Sequence, residues 1–509
     1  MESCFGWTLP AGRAGAGLGD RAVVAALVDG RGCLHDASYW CCFRVEGALD
    51  AVRAVLGTVV GPAEREKVVA WAGGLAADSR GRETSVELRG LVASESISGA
   101  RQCIGPAHVT LLPTQSPAQN LLALVWVHAA AARDAASALQ TACRDALHAS
   151  LALADLRRVE LRGRHSEGAL ERALGVRCED VPAEGVAIVS IRDPRFRDYS
   201  ALSHLGARET GSSNPEPSSA AALLSHPRAA SETEASQKNA QARDRALGIA
   251  AETDQSRLDL DACASRCSLL CIRRETWDAG ALSGWSICLP AGWVSPFWSA
   301  LVAAGMTVAG QQEWRWMHTA RGVPFFPADF AGTSACQRHR DVAGSLDRSA
   351  NLLRPPLKRR TLGQSLDWGA GGGSRVRRAM ARPLKGGRPA ELALLLVPQP
   401  FGPMQRGGET PLPCRPRRLR ASDAKALAIK LADSPAPLVL GSEVELVGDD
   451  AADAPLRLRV AGQITSPAPR PCSAAVACVD GAVVGAGDCS ALCWNPGSAV
   501  LLPVRLAMI

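Results

Sequence analysis

The sequence predicts an α+β protein: an α/β body interrupted by a disordered linker, then a small C-terminal β-barrel or sandwich. Three observations predict it. From residue 20 to 205, strand-like apolar runs alternate with helical spacing, the pattern of mixed α and β layers. Residues 206–256 have no Phe, Trp or Tyr and are dense in Ser, Ala, Glu and Gln, too polar to offset the entropy of ordering. Beyond 422, short strand-like runs are separated by turn residues, as in small barrels and sandwiches. At 509 residues the chain exceeds one ordinary core. It divides at 1–205, 206–256, 257–353, 354–421 and 422–509.

In the body, residues 39–45 (YWCCFRV) are rich in strand formers. Residues 50–56 follow with helical spacing that puts Val52, Val55 and Leu56 on one side. Residues 121–127 (LLALVWV) predict a buried strand and the Ala-rich 128–147 a helix. A short strand at 159–161 precedes a helix at 166–174, whose start is marked by Ser166-Glu167 ahead of Leu170. Residues 186–191 (VAIVSI) predict a strand closed by Asp193-Pro194. Within the linker, only 243–251 has a helical pattern. Past it, 268–272 and 285–289 read as strands, and 296–304 as a helix with Phe297, Leu301 and Val302 on its apolar side. A short strand at 306–308 leads to Glu313-Trp314-Arg315-Trp316, and 324–330 (PFFPADF) forms a stiff, proline-bracketed aromatic loop.

Positive charge is concentrated in one place. The chain totals +7, from 57 Lys plus Arg and 50 Asp plus Glu. Residues 354–420 hold fifteen Lys or Arg against three acids, a net +12, which leaves −5 for the rest. The segment is broken by glycines 371–373 and by an apolar strand at 392–397. Clustered cations neutralise phosphates and release counterions, and Arg can fork onto phosphate or stack on a base. The candidate RNA contacts are Arg354, Lys358, Arg359, Arg360, Arg375, Arg377, Arg378, Lys385, Arg415, Arg417 and Arg418, with Arg315 between Trp314 and Trp316. A solvated tail or a nuclear-import patch at 358–360 is the alternative. Trp314 and Trp316 either stack on bases or pack in a core. A helix at 423–431 then precedes strands at 437–440, 443–447, 456–460, 474–479, 482–484 and 499–506.

Several classes of function find no support. Seventeen Cys at irregular spacing, without a secretory signal, argue against a secreted disulfide scaffold. Cys263, Cys267 and Cys271 could offer three thiolates to a metal on a helix, but 268–270 reads as extended, so buried thiols fit better. Cys41 and Cys42 point to opposite faces of a strand. No apolar run is long enough to span a bilayer. His35 and Asp36 beside Tyr39 could do acid–base work or cap the following strand, and His128 reads as a core or capping residue. There is no Ser-His-Asp order, HExxH, P-loop or GxGxxG arrangement, and glycines 371–373 read as a hinge.

At 283–337 the sequence resembles a known family. Ser283-Gly284-Trp285, Leu289-Pro290-Ala291-Gly292-Trp293, Phe297-Trp298, Gly305, Glu313 and Phe326-Pro327-Ala328-Asp329-Phe330 resemble the POPLD region of the Pop-one family. That family is the large protein subunit of eukaryotic ribonuclease P and RNase MRP. Residues 33–42 with Glu46-Gly47 are similar to its DxSYxxCxxLxG block, and 124–130 to its LWVHPAA block. Ile191-Arg192-Asp193-Pro194-Arg195 is similar to its DPR block, and Arg354-Pro355-Pro356 with Lys358-Arg359-Arg360 to its RPP/KRP run. The likeness thus spans nearly the whole chain, with the linker as an insertion. Departures are Ala291 for Lys, Ser286 for Asp, and a degraded Gly-rich run at 485–497. The family's Trp-Gly…Leu-Pro block stands here at 5–10, so the chain reads as N-terminally truncated, without the family's basic leader.

The resemblance implies an aminomethyltransferase-like α/β body with a small C-terminal β-barrel. It implies an RNA-binding scaffold subunit of ribonuclease P / RNase MRP, supporting tRNA 5′-leader removal and rRNA processing. The chain would be no enzyme by itself, since catalysis in that particle is carried by RNA, and would have no cofactor. Implied partners are the RNase P or MRP RNA, precursor tRNA indirectly, and smaller protein subunits, with no membrane. The implied location is nucleus and nucleolus. One rival is a folate-dependent one-carbon transferase, on fold likeness alone. It needs a pocket with a buried carboxylate for the pterin, and no Asp or Glu stands out for that. The other rival is a non-functional fragment.

Overall fold

The computed structural model describes residues 2–4, 7–9, 32–57, 86–95, 101–112, 120–146, 148–177, 181, 185–195, 216–225, 229, 231–246, 266–274, 283–320, 323–355, 376–383, 394–398, 417–418, 443–446, 456–466, 475–480, 489–495 and 500–508. It is α+β. A short hairpin of β1 (Glu2–Cys4) and β2 (Trp7–Leu9) comes first.

Two sheets make the body. One comprises β3 (Cys33–Asp36), β9 (Leu156–Arg162), β10 (Val186–Arg192), β11 (Glu216–Pro217), β12 (Arg266–Arg274), β13 (Gly284–Pro290) and β14 (Thr307–Ala309), in the order β11-β10-β12-β13-β9-β3-β14. The other comprises β4 (Trp40–Ala48), β5 (Val86–Glu95), β6 (Arg101–Leu112), β7 (Asn120–His128) and β8 (Ala149–Ala154), in the order β5-β6-β7-β4-β8. The helices are α1 (Leu49–Leu56), α2 (Ala129–Asp145), α3 (Ser166–Leu174), α4 (Ala220–Leu224), α5 (Glu232–Ala246), α6 (Val294–Ala303), α7 (Gln311–Ala320) and α8 (Ser334–Leu352).

The alternation of side chains along a strand explains the layering. On β7, Leu121, Ala123, Val125 and Val127 join a core with α1 and α2, while Leu122, Leu124 and Trp126 join a second core. That second core lies between the sheets, because β12 adds Leu270 and Ile272 to it. The other face of β12, with Cys267, Leu269 and Cys271, packs with residues of α3 and α6. The layers are therefore helix, sheet, sheet, helix. A strand buried on both faces needs a continuous apolar run, which is why LLALVWV does not alternate. Cys267 and Cys271 lie on a strand inside a core, as expected of packing thiols; Cys263 lies outside the described residues.

Helix ends follow local chemistry. His128 caps α2: Ala130 N–H donates to its Nδ1 at 3.1 Å. Gly175 takes the left-handed conformation (φ 71°) just past α3, which a residue without Cβ adopts at little cost. On α6, Phe297 and Leu301 are buried one turn apart, but Val302 is 40% exposed. The expectation that Val302 faces the core is corrected: one residue further turns it about 100° away from Leu301.

The segment 206–256 also departs from expectation, because it contains β11, α4 and α5. The composition is polar, but two small apolar anchors suffice. Leu223 is fully buried in the inter-sheet core with Ala220, and Ala235 on α5 is 2% exposed. Ser219 and Ser231 start the two helices, accepting from Ala222 N and Glu234 N. Asn239 of α5 donates to the Arg195 carbonyl at 2.8 Å.

The last sheet comprises β15 (Val376–Pro383), β16 (Leu394–Pro398), β17 (Arg417–Arg418), β18 (Glu443–Leu446), β19 (Leu456–Ser466), β20 (Ala475–Asp480), β21 (Cys489–Trp494) and β22 (Val500–Met508). β15 pairs with both β20 and β22, so β15-β20-β19-β16-β21-β22 closes into a ring of antiparallel pairs. Ala381, Leu395, Ile464, Ala475, Ala477, Val479, Ala491, Cys493, Val504 and Leu506 form its core. The boundary drawn at 421/422 is thus corrected. Composition changes there, but the ring needs β15 and β16 from the basic segment to close. β21 was not foreseen, and the helix at 423–431 and strands at 437–440 and 482–484 fall outside the described residues.

Candidate nucleic-acid interface

The parts meet at a buried junction between the sheets. On β9, Val159 and Leu161 face the α3/α6 core. Alternation therefore turns Arg158, Glu160 and Arg162 to the other face, against β13 and β3. Arg158 Nε donates to Glu160 Oε1 at 2.5 Å, and Arg162 Nη2 lies 2.5 Å from Glu160 Oε2. Ser286, directly opposite Glu160 on β13, donates to the carboxylate at 2.8 Å and accepts from Arg274 Nε at 2.8 Å. Burial alone would raise the Glu160 carboxyl. Arg158, Arg162 and Arg274, with the Ser286 hydroxyl, outweigh it and hold the group well below the usual carboxylate range.

Aromatic rings surround this cluster. The Arg158 guanidinium lies 5.1 Å from the Trp40 ring and 6.0 Å from Trp126, and Arg162 lies 5.9 Å from Trp314. His35 stacks on Trp314 at 4.4 Å, bonds the Ala309 carbonyl through Nδ1, and meets the Tyr39 hydroxyl at 3.2 Å. Tyr39 packs edge-on against His128, which touches Phe326 in the same way. The choice left open for Trp314 is settled: it is core, 7% exposed. Phe326 belongs to the 324–330 loop, where buried Asp329 accepts from Phe325 N–H at 2.8 Å. Cys478 of β20 donates to the Asp329 carbonyl at 3.3 Å, which ties the closed sheet to the loop.

Buried carboxylates are present after all: Glu160, Asp193, Glu313 and Asp329. Each already has an internal partner: the arginine cluster, Arg195, the Gly310 N–H and the Phe325 N–H respectively. They read as structural groups. Burial likewise pushes the Cys33, Cys478 and Cys493 thiols up to about 12, leaving them unreactive packing groups at neutral pH. Among the described residues, no group of His, Cys, Asp or Glu is placed to hold a metal, and no helix is long and apolar enough to cross a membrane.

The two histidines carry an acid-stability prediction. Burial, the main cause, lowers His35 from 6.5 to about 4, and lowers His128, helped by His339, to about 3. The folded state favours the neutral rings, so the stability they confer is complete above pH 6.5 and is lost as pH falls toward those values. Between pH 7.5 and 4.5 the loss should be roughly 2–3 kcal/mol per ring. Urea midpoints across that range should fall accordingly, and His128→Asn, which can still cap α2, should flatten the profile. A midpoint constant from pH 7.5 to 4.5 would contradict this.

The expected contact residues are distributed as follows. Arg315 is half-buried on α7, while Arg354 is exposed just beyond α8. Lys358, Arg359, Arg360, Arg375, Lys385 and Arg415 lie outside the described residues. Arg377 and Arg378 lie on β15, opposite Val479 and Cys478 of β20. Arg417 and Arg418 form β17, opposite Leu501 and Val500 of β22. β22 aligns two basic runs that are distant in sequence. Pro383 of β15 pairs with Val504, and Arg382 pairs with Arg505. Arg417 faces Leu501, only three residues along the same strand from Val504, about 10 Å away. The sequence reading missed the ion cluster, although Leu156–Arg162 (LRRVELR) places three charges on one strand face.

Residues 284–370 match the POPLD (NUC188) domain family. This stretch contains β13, α6, β14, α7 and α8 and supplies Ser286 and Trp314 to the junction. Over 94 residues the chain is 37% identical to the "Ribonucleases P/MRP protein subunit POP1" of Arabidopsis thaliana, covering 18% of this chain and 11% of that protein's length. The structure aligns with the glycine cleavage system aminomethyltransferase T from Bartonella henselae at a TM-score of 0.44 and 12% identity, covering 100% of this chain and 92% of that one. The domain match assigns the segment 284–370, which supplies part of the junction, to the POPLD domain family. Both sequence matches support the chain's assignment to the Pop-one family.

Proposed function

We propose that the chain is a scaffold subunit of ribonuclease P or RNase MRP that holds the particle's structured RNA through cations carried on the closed C-terminal sheet. The supporting observation is the alignment of β15 and β17 along β22, which brings the strand that carries Arg377, Arg378 and Arg382 and the strand Arg417–Arg418 onto one neighbour. Arginines held at fixed spacing can match phosphates without paying the full ordering cost of a tail. In this reading the RNA carries out phosphodiester hydrolysis in tRNA 5′-leader removal and rRNA processing, and the chain contributes phosphate contacts and shape recognition. It works in the nucleus and nucleolus beside the particle's smaller protein subunits and meets precursor tRNA only through the RNA.

Filter binding with RNase P RNA tests this reading. Arg375→Ala, Arg377→Ala and Arg378→Ala combined should lower affinity about tenfold or more at 0.15 M salt. Wild-type affinity in a folded triple variant would count against it.

A further inference from the structure

The C-terminal sheet closes where β15, its first strand, meets β22, its last. The two pair over five positions, from Ala379↔Met508 to Pro383↔Val504. Near the end of that seam, Arg382 and Arg505 stand directly opposite each other. Both adjoin core positions: Ala381 on one strand, and Val504 and Leu506 on the other, are buried inside the ring. Strand alternation therefore puts positions 382 and 505 together on the outer face, with Cα atoms about 4.5–5.5 Å apart. The outer positions paired around them, Met380, Ser490, Leu492, Pro503 and Ala507, hold no acid. Position 417 joins the same face, because Arg417 pairs with Leu501, four residues from Arg505 on β22 and about 14 Å away. Arg505 belongs to neither basic run of the sequence, and only the pairing of β22 brings it beside them.

We infer that Arg382 and Arg505 clamp a phosphate of the RNA backbone across this seam, so that RNA binding holds the ring shut. Like charges directly opposite in a sheet destabilise the pairing. Here the repulsion falls on the pairing that closes the ring. A phosphate seated between the two guanidinium groups replaces that repulsion with charge-assisted contacts, since each Arg can fork onto phosphate oxygens. A ligand that binds only the closed ring then favours closure. Phosphate fits better than a partner's carboxylate, because Arg417 extends the same face along β22 and a nucleic-acid backbone presents its charges repeatedly. The inference deepens the scaffold reading and rests on it for RNA as the source of the phosphate, while the seam itself answers to inorganic phosphate alone.

Cys493 reports on the seam, because it is fully buried in the ring's core and is alkylated only when the ring opens. The full chain is treated with iodoacetamide in inorganic phosphate, or in chloride or acetate at equal ionic strength. Labelling of Cys493 is read by peptide mass spectrometry, with Cys267, buried in the body, as the internal standard. Phosphate should slow Cys493 labelling by a factor of 1 + [L]/Kd, about threefold at twice the dissociation constant, and leave Cys267 unchanged. Arg505→Gln and Arg382→Gln should each remove the phosphate effect. Arg505→Glu, which sets opposite charges across the seam, should slow labelling with no phosphate present. RNase P RNA should protect Cys493 in the wild-type chain, and Arg505→Gln should lower the salt slope of RNA affinity by about 1. The inference is overturned if phosphate protects no better than chloride, if acetate protects as well as phosphate, if both Gln variants keep the wild-type response, or if bound RNA leaves Cys493 labelling unchanged. If phosphate protects Cys493 but RNase P RNA does not bind, the phosphate clamp stands and the subunit reading falls.

Discussion

Glu160→Leu is expected to cost about 3–5 kcal/mol of folding stability, because it leaves buried cations without their counter-ion. Glu160 lies 4% exposed at the centre of the inter-sheet layer. It bonds Arg158 and Arg162, and it bonds Ser286, which in turn holds Arg274. Glu160→Gln keeps the shape and the Ser286 bond but removes the charge, and it should fall in the same range. A single domain has only about 5–15 kcal/mol in total, so either change should bring the urea midpoint down sharply. A loss below about 1 kcal/mol for both would show that the arginines find water or other acceptors, and that the cluster does not hold the sheets together.

Trp285→Ala should cost a similar 3–5 kcal/mol, by a different route: a lost aromatic side chain and the cavity it leaves. Trp285 is 2% exposed on β13, which lies between β12 and β9, and its ring sits in the α3/α6 core. The residue before it explains why the motif begins Ser-Gly-Trp. A Cβ on Gly284 would lie 2.0 Å from the Leu161 carbonyl oxygen, so only glycine lets β13 approach β9 closely enough to seat the Trp. Trp285→Phe should retain more than half of the lost stability. If Trp285→Ala unfolds at the wild-type urea concentration, the ring is not a core anchor.

What the sequence showed depended on how local the cause was. The run at 121–127 was legible as a strand because burial on two faces requires an unbroken apolar stretch, and β7 stands there; 186–191 and 285–289, where β10 and β13 stand, were legible from short apolar runs broken only by Ser190 and Ser286. The Ala-rich 128–147 was legible as a helix because propensity and the His128 cap agree. The order in 206–256 was not, since it depends on a few residues such as Leu223 reaching a distant core. The ring was only half legible: its closing strands come from a segment whose charge masks the small inward residue Ala381. The ion cluster was only partly displayed: Arg158, Glu160 and Arg162 share one strand face, but Ser286 and Arg274, which complete it, come from β13 and β12. The likeness at 283–337 was carried by Trp-bearing motifs, and the structure shows their reason: Trp285 and Trp293 are buried in one core.

The most direct measurement is the salt dependence of the full chain's affinity for RNase P RNA. If two basic runs lie together along β22 and face phosphate, at least five or six contacts should form, and log K should fall against log salt with a slope of about −4 to −6. A slope between 0 and about −1 at measurable affinity would mean that the aligned cations do not face the RNA, and the scaffold account would fail.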